Sequence, residues 1–336
     1  MPVTVVVGGQ FGSEGKGKVA HYFAREQSAS AAVRVGGTNS GHTVITPAGD
    51  ALILRQLPTA AILPEVYCVL PAGSYIDLEI LFKEIEKTGL EKERLIVDPK
   101  AMIISPEDIS RESTQGLKQS IGSTGSGTGA AVQRRISRAK DTRFAKDFKE
   151  LNYFVHPTTP FMRRLLQAEK RIIIEGTQGF GLSLLHAKDY PYVTSRDTTA
   201  AGFVAEAGLS PLDVDEVVLV IRAFPIRVAG NSGPLPNEIT WKDISNIAKR
   251  TIAEYSSVSK ELRRVAKFDF DIVSRAMQVN NPTNLVLNHL DYLKQNEQAR
   301  LVNSILELLN IEINFLGYGP GTLLPGLISK EGMKYA

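Results

Sequence analysis

The chain has 336 residues, 43% hydrophobic and 22% charged, a balance that fits a globular protein and excludes a disordered or membrane-embedded one. Its net charge of +3 is too small for a nucleic-acid surface, so its arginines must be judged locally. Cys68 is the only cysteine, which excludes an intramolecular disulfide, a CxxC redox pair and a thiolate zinc cluster.

In chain order, the first element is the apolar run Val3 to Val7, which stops at Gly8, far short of the roughly 20 apolar residues a bilayer span requires and without a basic leader. A cytoplasmic protein with no membrane partner is expected. The glycine-rich stretch GGQFGSEGKGK (8 to 18) follows directly. A strand entering such a turn and then a helix puts backbone N–H groups where an anion can sit; Gly12, Gly15 and Gly17 allow close approach and Lys16 supplies a point charge. The pattern GxxxxGK[ST] fails here, because no glycine stands five residues before Gly15 and Gly17 occupies the hydroxyl position. GxGxxG is absent too, and AAVRVGGTNSGHT lacks the acidic residue that would bind a ribose, which disfavours a dehydrogenase.

Further β-branched runs recur at 32–35, 51–54, 67–70, 171–174, 216–221 and 284–287, with helical spacing at 18–25 and 78–88. This alternation predicts an α/β fold, a mainly parallel central sheet flanked by helices, in a single domain spanning 1–336. GSTGSGTG (122 to 129), ahead of the basic stretch QRRISRAK (133 to 140), reads either as a flexible linker or as an ordered loop feeding a basic helix. Apolar spacing from Leu301 to Leu309 predicts a helix packed on the core.

Together GGQFGSEGKGK and GGTNSGHTVI resemble the adenylosuccinate synthetase family. The resemblance extends through IGSTGSGTGAA (121 to 131), EGTQG (175 to 179), YPYVTSRDTTAAG (190 to 202), SKELRR (259 to 264) and LNHLD (287 to 291). It implies a P-loop-NTPase-like fold and a magnesium-dependent ligase. A nucleoside triphosphate phosphorylates the 6-oxygen of a purine monophosphate, and the amine of L-aspartate displaces that phosphate. The chemistry is sound, because an amide-like oxygen leaves poorly until it carries a phosphoryl, and phosphoryl transfer needs mainly positioning and charge neutralisation.

Matched residue by residue, the resemblance puts His42 beside the transferring phosphoryl as a catalytic group. Lys16, with the backbone of Gly12, Gly15, Gly17 and Thr43, holds the triphosphate, and the carbonyl of Gly41 helps to bind Mg2+. Asn39, Ser123, Thr124, Gln178 and Thr194 hold the monophosphate, with Gln178 near the purine 6-oxygen. Ser259 and Arg263 take the aspartate. Asn288, Asp291 and Gly319 receive the base of the phosphate donor. Arg138 reaches across a homodimer to the neighbouring substrate phosphate.

Two departures from the family pattern bear on substrate. Where the family has an aspartate that accepts the purine N1 proton and touches the metal, this chain has Ser13; a hydroxyl is no ionised base near neutral pH, and losing a general base costs about 10²- to 10⁴-fold. Glu261 replaces an arginine lying near the ribose 2′-hydroxyl. Both changes resemble a viral branch, the 2-aminoadenylosuccinate synthetases, which implies dGMP as substrate and the host cytoplasm as location. The smaller side chain leaves room beside C2 and gives the guanine amino protons an acceptor. Glu14, or water on the metal, remains as the N1 base. His289 stands in a lysine position while Asp291 is retained: Asp291 favours GTP, whereas the viral resemblance favours ATP or dATP, and ATP is the expected donor. The alternatives are an ordinary synthetase using IMP and GTP, and an inactive nucleotide sensor.

Overall fold

The computed structural model describes residues 2–256, 260–329 and 332–334. Val3–Gly8 forms the strand at its centre, buried at all of its positions. A strand buried on both faces needs apolar residues at consecutive positions rather than alternation, which Val5, Val6 and Val7 supply. Val3, Val5 and Val7 pack in one layer with Phe203, Val273 and Ile305, and Val6 packs in the opposite layer with Val19 and Phe23. Helices therefore cover both faces.

Val3–Gly8 pairs in parallel with Ile172–Glu175 on one side and Val214–Arg222 on the other. Ala31–Arg34, Tyr67–Leu70 and Leu95–Val97 extend the first side, and Asn284–Asn288 and Ile313–Tyr318 the second, all parallel. Two antiparallel strands, Thr322–Ser329 and Gly332–Lys334, close one edge of this ten-stranded sheet. The chain leaves the first strand for one flank and later returns to the other, so the crevice at that strand's carboxyl end is a topological switch point. The glycine-rich loop lies there.

Leu78–Thr88 is helical as the spacing predicts, with Asp77 capping the amide of Ile80. The first helix is longer than its apolar spacing, Lys16–Glu26, because it starts inside the glycine-rich motif. Ala51–Leu54 does not join the main sheet. It pairs antiparallel with His42–Ile45 in a two-stranded ribbon, and its burial alternates because one face is exposed. Residues 301–309 end the helix Gln295–Leu309, whose Val302, Ile305 and Leu306 enter the core.

The stretch 122–129 is tied down rather than a free linker. The Glu112 carboxylate accepts from the amides of Gly127, Gly129 and Ala130 at 3.0, 2.6 and 3.2 Å, capping the helix Thr128–Ile136. That helix takes only the first half of the basic stretch, and its Arg134 is buried against Asp108. Cys68 is fully buried, its thiol pushed up to about 12 by burial. Among the described residues no helix is long and apolar enough to cross a membrane.

Candidate active site

The loop after the first strand turns through left-handed backbone at Gly12 (φ 93°), Ser13 (φ 57°) and Gly15 (φ 92°). The Glu14 carboxylate fills its middle: Oε1 accepts from the amides of Gln10 and Gly12 at 3.1 and 2.8 Å, and Oε2 pairs with Lys16 Nζ at 2.7 Å. Lys16 also donates to the carbonyl of Gln178. Both members of the pair are buried, and Glu14 does not line the cleft. Glu14 is thus a scaffold for the loop, not a carboxylate presented to a base. Gly15 is the N-cap of Lys16–Glu26 and no side chain caps that helix, which leaves its positive end to an incoming anion.

Gly17, in the hydroxyl position of an ordinary phosphate loop, has a packing reason to be glycine. A Cβ there would stand 2.7 Å from His42 Cβ and 2.9 Å from Thr59 Cγ2. His42 Nδ1 lies 2.6 Å from Glu175 Oε1, whose other oxygen accepts from the amide and hydroxyl of Thr59 at 2.8 Å each. Arg34 Nη1 donates to the same Glu175 Oε1 at 2.7 Å. Burial, with the Arg34 charge second, pushes His42 down to about 3. Burial alone would raise Glu175, but His42 and Arg34 outweigh it and hold it low. The consistent state is a neutral imidazole beside an ionised carboxylate, its Nδ1 held between Glu175 Oε1 and Arg34 Nη1, which fixes the ring.

A cleft of about 380 Å³ opens over the loop. It brings together Gly12, Ser13, Lys16, Asn39, Gly41, His42, Ser123, Thr124, Gln178, Thr194 and Arg263, from six separate sequence motifs. Gln178 Nε2 donates to Asn39 Oδ1 at 2.7 Å, while Gln178 Oε1 is buried without a partner and is available to a ligand N–H. Arg227 also lines the cleft, its guanidinium 4.1 Å from the Phe11 ring centroid and paired with Asp189 at 3.2 Å.

At Ser13 the hydroxyl accepts from Arg263 Nη1 and the carbonyl accepts from Arg222 Nη1 at 2.9 Å. Arg222 is fully buried and paired with Glu254, which lies 4.0 Å from Arg263 and accepts from Tyr292 Oη at 3.0 Å. Burial would raise Glu254, but Arg222 foremost holds it at about 2. The two groups that the sequence points to for a metal, the Ser13 hydroxyl and the Gly41 carbonyl, are neutral and both at the cleft, and no cluster of three His, Cys, Asp or Glu stands among the described residues. Such a set fits Mg2+ as an ion that brings waters and donor phosphates as its other ligands. The fit requires Arg263 to leave Ser13.

Asn288, Asp291 and Gly319 form a second group outside the cleft. Asn288 Nδ2 donates to the carbonyl of Glu14 at 2.7 Å, and a Cβ on Gly15 would strike it at 2.8 Å. Asp291 Oδ1 accepts from the Gly319 amide at 2.9 Å and Oδ2 from Arg250 Nη2 at 2.5 Å. Lys18 donates to the carbonyls of Gly319 and Thr322 at 3.1 and 3.0 Å, and burial lowers its amine to about 8. Thr43 does not line the cleft but sits on the ribbon strand with its carbonyl facing Gly17, and Arg138 is exposed beyond the end of Thr128–Ile136. Ser259 lies outside the described residues.

Sequence reading missed Arg34, Glu175, Arg222, Arg227 and Glu254. One signal was available: Glu175 ends a strand and opens EGTQG, a position where a carboxylate reads as functional rather than core.

The adenylosuccinate synthetase family model matches residues 5–146 and 141–305. The chain belongs to the adenylosuccinate synthetase family. Relatives include the adenylosuccinate synthetases of Methanocaldococcus jannaschii, 37% identical with 94% of each chain covered, and of Pyrococcus sp. (strain ST700), 35% identical with 95% of this chain and 96% of the other covered. Among solved structures, the chain is similar to the succinoaminodeoxyadenylate synthetase of cyanophage S-2L, bound to dGMP and to dATP as energy donor. That match has a TM-score of 0.82 and 28% identity, covering 99% of this chain and 95% of the other. The fully ligated adenylosuccinate synthetase from Plasmodium falciparum shares the fold, with a TM-score of 0.83 at 22% identity, covering 97% of this chain and 100% of the other. As a member of an adenylosuccinate synthetase family, the protein is a carbon–nitrogen ligase.

Proposed function

We propose that this ligase condenses dGMP with L-aspartate, driven by a nucleoside triphosphate, to give N6-succino-2-amino-2′-deoxyadenylate. The observation that carries the reading is Ser13. Its short side chain stands at the cleft, and the only carboxylate of the glycine-rich loop, Glu14, is turned inward onto amides and Lys16. A guanine, with its amine beside N1, has room there that a loop aspartate would fill. The resemblance to the phage enzyme bound to dGMP supports the same substrate.

In this reading the guanine N1 proton passes to water as the 6-oxygen attacks the γ-phosphoryl, the nucleoside diphosphate leaves, and the aspartate amine then displaces phosphate from C6 and gives up a proton to solvent. Lys16 exchanges Glu14 for the donor phosphates, with the helix N-terminus at Gly15 and Gly17, and with Gly12 and Thr43, completing their cradle. His42, oriented by Glu175, stabilises the transferring phosphoryl. Mg2+, held by Gly41 and Ser13, screens phosphate charge when bound. Gln178 and Asn39 address the base edge, Ser123, Thr124 and Thr194 the monophosphate. Arg263, with Ser259, takes the aspartate carboxylates. Asn288, Asp291 and Gly319 form the seat of the donor base. Glu261, paired with Lys118 at 3.3 Å in a neighbouring pocket that shares Ser123 and Thr124 with the cleft, takes the place of an arginine and removes a cation from the sugar side. Arg138, exposed, serves the second site of a homodimer.

An ordinary synthetase using IMP and GTP is the second reading, favoured by the archaeal relatives and by the carboxylate of Asp291. One assay separates the two: aspartate and magnesium with dGMP or IMP, and ATP or GTP, following phosphate release and product mass. The expected product is the succinylated diaminopurine deoxynucleotide. Turnover of IMP alone would transfer the protein to the second reading, and no turnover with any pair would make it a nucleotide sensor.

A further inference from the structure

Asp291 is not a free carboxylate. Oδ1 accepts from the Gly319 amide at 2.9 Å, and Oδ2 accepts from Arg250 Nη2 at 2.5 Å. Arg250 Nη2 also reaches the Asp291 carbonyl at 3.3 Å, and the guanidinium stands 5.9 Å from the Tyr292 ring centroid. Lys18, through the carbonyls of Gly319 and Thr322, pins the loop that supplies the Gly319 amide. The carboxylate is thus neutralised from one side and hydrogen-bonded from the other before any nucleotide arrives.

A guanine edge presents N1–H and N2–H together and needs a bare carboxylate to accept both. Against the Arg250–Asp291 pair, one of those donors meets guanidinium N–H groups, and donor facing donor is repulsive. An adenine edge presents an acceptor at N1 and a donor at N6. The pair offers the complement: spare N–H groups on Arg250 and remaining lone pairs on Asp291.

We infer that Arg250 is a specificity-determining residue for the phosphate donor, selecting an adenine over a guanine nucleoside triphosphate by occupying the carboxylate of Asp291. The inference rests on the reading above that Asp291 and Gly319 seat the donor base. Arg250 follows the helix Trp241–Ala248 and does not line the cleft, so its role is separable from the acceptor nucleotide.

The test is calorimetric binding of the imido analogues of ATP and GTP, with magnesium and no acceptor, to the full chain and three variants. The unaltered protein should prefer the adenine analogue. Arg250→Ala, a side chain 54% exposed whose loss leaves the core intact, should shift the affinity ratio towards guanine by about 10- to 100-fold, the worth of one charge-assisted hydrogen bond. Arg250→Lys, which keeps the charge on Asp291, should retain the adenine preference. An unchanged ratio in Arg250→Ala, while Asp291→Ala weakens both analogues, overturns the role of Arg250 alone. Unchanged affinities in Asp291→Ala overturn the location of the donor base itself.

Discussion

Arg263 donates to the hydroxyl of Ser13, joining the phosphate loop to a residue 250 positions later in the chain. The side chain assigned to the aspartate and the one assigned to the purine are therefore in direct contact before substrate arrives. Glu254 and Arg222 hold that contact from behind, since Arg222 grips the carbonyl of the same serine. In Ser13→Asp a carboxylate would take the guanidinium as an ion-pair partner and fill the space beside C2. The expected result is a fall of about 10- to 100-fold in kcat/KM for dGMP, with IMP less affected. Undiminished use of dGMP by that variant would sink the steric account of base choice.

Glu14 and Lys16 form a fully buried ion pair inside the glycine-rich loop. Removing one charge strands the other in a low-dielectric site and leaves the amides of Gln10 and Gly12 with a weaker acceptor. Glu14→Gln should destabilise the protein by about 3 kcal/mol, read from denaturant unfolding. A change under about 0.5 kcal/mol would mean that the pair is solvated in solution.

The Gly17→Ala variant tests whether His42 is positioned by backbone packing. The added methyl meets His42 Cβ at 2.7 Å and the Thr43 carbonyl at 3.1 Å, and these lie on a ribbon strand that must move to admit it. A displacement near 1 Å at a group aligned with a phosphoryl costs about 10²-fold, so kcat should drop by that order while acceptor KM changes little. Equal losses in both parameters would point instead to damage across the cleft.

His42 and His289 are both pushed down to about 3 from an ordinary 6.5, chiefly by burial. Between those values the unfolded chain binds protons that the folded chain refuses, so stability rises with pH across the window. It is fully present above about 6.5 and lost as pH falls, by about 1.4 kcal/mol per pH unit for each group. Unfolding free energies measured from about pH 7 to about pH 5 should show this slope, and His289→Asn should flatten it. Glu254, held at about 2, adds its own loss only below its ordinary 4.5. Stability independent of pH above about 5 would show that the two imidazoles take up protons in the folded chain as readily as in the unfolded one.

Local periodicity and composition were enough to predict the parallel α/β architecture, since a strand buried on both faces must be apolar at neighbouring positions, and Val3–Gly8 is. The glycine-rich loop was legible for the same kind of reason: left-handed backbone at Gly12 and Gly15 calls for glycine whatever the surroundings. The ribbon strand Ala51–Leu54 was not separable from a sheet strand, because partner choice depends on chain geometry that a four-residue run does not encode. Only the tertiary structure decided that Glu14 faces inward, that Glu175 orients His42, and that Arg250 covers Asp291. Each is a contact between charges brought together by folding, and Coulomb and hydrogen-bond energies depend on distance and burial, neither of which a linear order of residues carries.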